Sequence, residues 1–257
     1  MKKIITTLAT TAILTSVASA DIARVEMGAG MWNQTPNGTM SYTKSGTATG
    51  NYTSDKKEDS SAYVWMLIKH PIPILPNLRL EYANIKDTGL VTGSFKDFDV
   101  PVGSTPGSIE MTQFDIIPYY NLLDNTAWTT IDVGLDLKVQ STKYKVDGVT
   151  VNGVANSNYE DTKTIVIPLV YARARVEIPG TNIGLETDAK YVTYDGSTIY
   201  DVRAKVDYTL DFIPVIQPAI ELGYRVQKFD LTYEDGADKT MMNLDFSGVY
   251  AGLMLRF

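Results

Sequence analysis

Apolar and charged residues alternate one by one through most of this 257-residue chain, and that period constrains the fold more than any other feature. Successive side chains of a strand point to opposite faces, whereas a helix repeats about every 3.6 residues. In Tyr200 to Asp211, residues Asp201, Arg203, Lys205, Asp207 and Asp211 alternate with Tyr200, Val202, Ala204, Val206, Tyr208 and Leu210. Arg173, Arg175 and Glu177 alternate with Ala172, Ala174 and Val176, and Glu186, Asp188 and Lys190 with Leu185, Thr187 and Ala189. The stretches around Arg24 and Glu26, Arg79 and Glu81, and Asp132 and Asp136 read the same way. Each segment is a strand with one apolar face and one charged or glycine-bearing face.

About ten such segments can be placed, at 22–33, 61–70, 77–87, 110–121, 127–141, 163–178, 183–195, 198–211, 217–232 and 242–257. An even number suits an antiparallel up-and-down transmembrane barrel with both ends on one side, and eight or twelve strands satisfy the same parity. The connections alternate in length. Asn33–Ser60, Asp87–Ile109 and Ser141–Thr162 are long and polar, while His70–Pro76, Leu122–Thr126 and Pro179–Asn182 are short. Long outer loops and short periplasmic turns are the habit of such barrels. The connection at Asp195-Gly196 is short on the outer side and breaks the trend. Asp147-Gly148 and Asn152-Gly153 are turn dipeptides, so the Ser141–Thr162 strands are expected to continue as a hairpin above the membrane. Pro118 and Pro218 fit a periplasmic rim, and Pro168, inside a segment, predicts a bulge.

A soluble barrel would turn its apolar face inward. Several features predict the opposite. The alternating segments are long. Gly28, Gly30, Gly134, Gly223 and Gly252 share the charged face, as a tight lumen requires. Tyr82, Tyr120, Tyr191, Tyr200, Tyr208 and Tyr224 fall on the apolar face, where interfacial aromatic girdles form. At the N-terminus, Lys2 and Lys3 precede an apolar stretch, Ile4 to Val17, and the small-residue site Ala18-Ser19-Ala20. This predicts a leader, residues 1–20, cleaved before Asp21, and a single barrel domain over 21–257.

The last strand, Val249-Tyr250-Ala251-Gly252-Leu253-Met254-Leu255-Arg256-Phe257, ends on an aromatic residue. It resembles the sorting signal of bacterial outer-membrane proteins, with Tyr250, Leu253, Leu255 and Phe257 as its apolar positions. That resemblance implies recognition by periplasmic chaperones and the barrel-assembly machinery. The whole of 21–257 also resembles a family of uncharacterised proteobacterial outer-membrane β-barrel proteins. The likeness is carried by the Ala20-Asp21 entry, by Asp115-Ile116-Ile117-Pro118-Tyr119-Tyr120-Asn121 running into a turn, by Asp132-Val133-Gly134-Leu135, and by the last strand. It implies an outer-membrane location and lipid as a partner, and no activity.

Charge and composition narrow the chemistry. The net charge is −7 and the chain has no cysteine, which disfavours nucleic-acid partners and excludes thiol chemistry and disulfides. The single histidine, His70, lies at a predicted periplasmic turn, away from the outer rim where the known histidine-dependent barrel enzymes work. The acidic loops Asp55–Asp59 and Tyr233–Asp238 do not match the twelve-residue calcium loop. No cofactor, metal or catalytic residue is therefore expected, and the chain reads as non-enzymatic. The informative constellation is the charged face. Arg24, Glu26, Arg79, Glu81, Asp132, Asp136, Arg173, Arg175, Glu186, Asp188, Lys190, Asp201, Arg203, Lys205, Asp207, Glu221 and Arg225 are expected inside the lumen. Balanced charge in a narrow barrel predicts a salt-bridged plug with surface-exposed loops in a structural or interaction role. A narrow or gated channel for small solutes or ions is the alternative, and a barrel enzyme a third reading.

Overall fold

The computed structural model describes residues 23–72, 74–210 and 216–257. The leader lies outside the described residues, as does most of the 212–217 connection. Every regular element described is a strand: β1 (Arg24–Lys44), β2 (Thr47–Ser54), β3 (Asp59–Lys69), β4 (Asn77–Ser94), β5 (Asp99–Thr126), β6 (Thr129–Val151), β7 (Val154–Glu177), β8 (Ile183–Tyr194), β9 (Ser197–Thr209), β10 (Gln217–Asp235) and β11 (Asp238–Arg256). All pairings are antiparallel between neighbours, and β11 pairs with β1 to close the ring. β2 and β3 occupy a single position, because both pair with β1 on one side and β4 on the other. Eleven strands thus make a ten-position barrel, in line with the period-2 count.

The strands are longer than the alternation suggests, and this corrects the long-loop reading. Asn33–Ser60 is mostly β1 and β2 around the tight turn Ser45-Gly46, both residues having positive φ. β4 and β5 likewise consume most of Asp87–Ile109. β6 and β7 form the tall hairpin expected over Ser141–Thr162, turning at Asn152-Gly153 with φ of 49° and 80°. Asp147-Gly148 instead sits at a register shift within that hairpin.

A change of sense partway up each strand explains why the alternation fades. Near the end where β1 begins, outward residues are apolar, such as Leu135, Val166, Val170, Leu222 and Leu253, all exposed. Higher up, the same outward parity carries Asn33, Ser60, Asn84, Thr112, Ser141, Thr164, Thr193, Thr198, Lys228 and Ser247. From β4 to β7 the switch follows the register. Tyr82 pairs with Phe114, Phe114 with Val139 and Val139 with Val166, and one step higher Asn84 pairs with Thr112 and Thr112 with Ser141. On β7 the apolar band runs from Val166 to Val176, the length of a tilted strand crossing a hydrocarbon layer. Tyr82, Tyr191 and Tyr200 mark its upper edge, and Tyr120 and Tyr208 its lower edge.

Pro168 causes no bulge. It stays in register opposite Leu137 of β6, with no shift between them. On its other side the β7–β8 ladder ends at Val170–Tyr191, short of Pro168 although β8 runs on to Tyr194, so no β7–β8 ladder bond is made at the proline. Pro118 and Pro218 lie near the lower rim, opposite Leu78 and Leu255.

Candidate functional site: a charged lumen beneath a strapped mouth

Sixteen of the seventeen lumen candidates are buried, and Arg24 is half-buried at the lower rim. They form three tiers. In the lowest, Glu26 lies 2.5 Å from Arg24 and 2.9 Å from Arg256, and Arg175 binds Asp207 through two bonds of 2.6 and 2.9 Å. In the next, Arg173 bridges Asp132 at 2.6 Å and Glu186 at 2.7 Å, while Lys205 reaches Glu221 at 3.0 Å and Glu186 at 3.6 Å. Arg79 joins this tier to the third through Glu186 and Glu81. There Lys190 meets Glu81 and Asp115, Lys138 meets Asp115 at 2.8 Å, Arg203 meets Asp188 and Glu81, and Arg225 meets Asp201. Asp136 accepts no hydrogen bond, and its nearest cation is Lys190 at 3.9 Å.

Cross-strand register supplies many of these pairs directly. Asp188 faces Arg203, Glu186 faces Lys205, and Asp132 faces Arg173. Burying such charges is costly, and mutual pairing with bidentate geometry offsets the cost.

Aromatic residues complete the packing, and alternation alone does not point to them. Lys205 and Arg79 lie over the Trp65 ring at 4.4 and 5.1 Å, and Arg225 over Trp32 at 4.7 Å. Tyr63 and Trp65 donate to Glu221 at 2.7 and 3.1 Å. β3 is apolar on both faces, so parity alone does not assign its rings to the lumen. The inward glycines are the available signal. A Cβ on Gly28 would lie 2.4 Å from Trp65, and one on Gly223 would lie 2.5 Å from Tyr250. Tyr250, grouped above with Leu253, Leu255 and Phe257, faces the lumen instead, while those three point outward.

The charged lumen does not continue to the top. Above the third tier it becomes apolar. Ile85, Met111, Phe229, Leu244 and Phe246 are essentially inaccessible, and the Phe229 and Phe246 rings meet edge-on at 6.3 Å. Here the outward face is polar, so the inward face carries the hydrophobic core, as in a water-soluble barrel.

Two straps cross the mouth. The β4–β5 turn folds inward, and four rings run from one wall to the other. Tyr42 stacks on Phe95 at 6.0 Å, Phe95 on Phe98 at 4.9 Å, and Phe98 meets Tyr159 at 4.7 Å. Tyr42 is on β1 and Tyr159 on β7, opposite positions of the ring. Both ends are pinned: the Tyr42 hydroxyl donates to Asp238 at 2.6 Å and Tyr159 to Asp97 at 3.2 Å. The Asp238 bond pushes the Tyr42 phenol up to about 12 and holds the Asp238 carboxyl below its ordinary range. Lys96 to Asp235, at 2.7 Å, is the second strap.

His70 lies at the opposite end, in the β3–β4 turn. Its Nδ1 accepts from the Ile72 N–H at 3.2 Å and its Nε2 faces the Pro76 carbonyl at 3.0 Å, which assigns the proton to Nε2.

No protein-family model and no curated protein sequence matches the chain. Among solved structures it is similar to the outer-membrane protease OmpT from Escherichia coli, with a TM-score of 0.56 at 10% identity, covering 91% of this chain and 97% of that one. A Pseudomonas aeruginosa FadL homologue aligns at 0.31 and 7% identity over 92% and 90%, and the Pseudomonas putida toluene transporter TodX at 0.23 and 7% over 95% and 92%. Those two scores carry no argument. The likeness to OmpT shows the fold of a bacterial outer-membrane barrel and nothing finer. It also overturns the expectation of a chain that is not an enzyme. A barrel of this fold carries a protease, so the fold is compatible with catalysis, and the place of His70 bears on histidine chemistry alone.

Proposed function

We propose that this chain is an integral outer-membrane barrel, sealed across the membrane, that works through binding at its outer mouth. The observation that carries the reading is the match in depth between two features. Where the outward face is apolar, the lumen is filled by paired charges, and where it turns polar, the lumen turns apolar. A water-filled pore has neither tier. Export by the predicted leader and assembly through the last strand, with Leu253, Leu255 and Phe257 turned outward toward lipid, belong to the same proposal.

Planar-bilayer recording tests the seal. The reconstituted chain is expected to show no stable unitary current at moderate voltage. The double substitution Arg203→Gln with Lys205→Gln, which leaves Asp188, Glu81 and Glu221 short of partners, is expected to admit water and produce measurable conductance. Steady single-channel steps from the unaltered chain would refute the seal and favour the channel reading.

A further inference from the structure

The mouth is not walled evenly. β8 and β9 turn at Asp195-Gly196, and their ladders to β7 and β10 stop at Val170–Tyr191 and Thr198–Asp230. β7 continues above this hairpin back to Val154, and β10 continues to Asp235. Two neighbouring positions of the wall are therefore missing above the polar switch, which leaves a notch between β7 and β10. Behind it lies a cavity of about 200 Å³, lined by the rings of the strap together with Ile109 and Val146. That is below the ~300–1,000 Å³ usual for drug-sized ligands, so it suits a molecule of about one ring.

The lining has a definite electrostatic character. Tyr144, Tyr159 and Tyr233 contribute rings near the notch. Four carboxylates, Asp97, Asp161, Asp235 and Asp238, face three ammonium groups, Lys96, Lys145 and Lys163. Three of the carboxylates are engaged by Tyr159, Lys96 and Tyr42. Lys145 is engaged by Glu160 at 3.3 Å. Asp161 accepts only from the backbone N–H of Thr162 and makes no ion pair among the described residues. One ammonium already rests on an aromatic face here, with Lys163 Nζ lying 5.6 Å from the Tyr233 ring centroid across the notch. An aromatic wall beside a carboxylate without a cation is the arrangement that recognises ammonium groups.

We infer that this cavity is a binding site for a small organic cation, an amine with a compact apolar or aromatic body. It enters through the notch, sets its ammonium against Asp161 and its body among Tyr144, Tyr159 and Tyr233. The inference rests on the reading of the mouth as the outer, water-facing end. Lys163 is then an internal competitor for the same rings.

Calorimetric titration of the full chain, folded in detergent micelles, tests this with three probes of one shape: 2-phenylethylamine, 2-phenylethanol and phenylacetate. The amine is expected to bind about tenfold more tightly than the alcohol, and the anion not measurably. Asp161→Asn is expected to bring the amine down to the level of the alcohol and leave the alcohol unchanged, which separates lost recognition from lost folding. Lys163→Met is expected to tighten the amine several-fold. Equal binding of amine and alcohol, a preference that survives Asp161→Asn, or loss of the amine in Lys163→Met would overturn the site. Nα-acetyl-lysine amide presents the same ammonium on a peptide-like stem, and tighter binding of that probe would overturn assignment to a free small molecule. A conducting barrel would refute the seal while leaving the amine preference intact, so the two failures are distinguishable.

Discussion

Replacing Lys190 with methionine is expected to destabilise the folded barrel by about 3–5 kcal/mol, the range for removing one partner of a buried ion pair. No other lumen cation touches as many anions. Its ammonium lies within 4 Å of Glu81, Asp115, Asp136 and Asp201, and it is fully buried. Methionine preserves most of the volume and stem, so the loss isolates the charge. Asp115 retains Lys138 and Asp201 retains Arg225. Glu81 retains Arg79 and Arg203. Asp136 is left with no cation within 4 Å among the described residues, since Lys190, at 3.9 Å, is the one it has. Adding Asp136→Asn to Lys190→Met should therefore restore a measurable part of the loss. Urea titration in lipid vesicles, followed by Trp32 and Trp65 fluorescence, reads both variants. A Lys190→Met barrel as stable as the parent would mean that the lumen is hydrated and the pairs contribute little.

The second large effect concerns the outer surface. Arginine at Leu135 or Val170, which point outward and are 57% and 62% exposed, is expected to cost about 2–4 kcal/mol at mid-depth. Arginine at Thr162, on the same parity of β7 but above the polar switch, is expected to cost close to nothing. In a soluble barrel all three positions face water and the three variants would behave alike. The same vesicle titration distinguishes the outcomes, because only a lipid-facing position carries a depth-dependent penalty. A uniform response would contradict the inside-out arrangement.

The barrel was legible in the chain to different degrees at different heights. At the level of the belt, the outward face is apolar and the inward face of the narrow lumen is charged, so the period-2 signal is strong. All ten positions were placed from it. Above the switch the inward face carries Ile109, Met111 and Phe229 while the outward face carries Glu110, Thr112 and Lys228. The period persists but its sense reverses, and a fixed assignment of polar to inward reads such stretches as loop. β2 and the upper halves of β4, β5 and β7 were hidden in this way. Pro168 misled for a related reason. A proline is costly only where a ladder needs its donor, and the β7–β8 ladder ends two residues short of Pro168.

The site was legible in part. Alternation placed the lumen charges, and cross-strand register then fixed partners such as Asp188 with Arg203. Contacts that cross the lumen were not legible. Lys190 reaches Glu81 across 109 positions of sequence, and Arg203 reaches the same carboxylate across 122. Such pairs depend on barrel closure and side-chain reach, which no local pattern encodes. The mouth cavity was hidden for the same reason. Tyr233, Asp235 and Asp238 stood out only as an acidic loop, and they acquire meaning when the β4–β5 turn folds across to meet them.

Burial of the outward apolar belt in the outer membrane is what the proposed function requires. Fractionation of cells producing the full chain, with membranes washed in alkaline carbonate and separated by density, addresses it most directly. The chain is expected to stay with the outer-membrane fraction through the wash and to migrate faster on gels when unheated than when boiled. Recovery of the chain as a soluble periplasmic protein would contradict it.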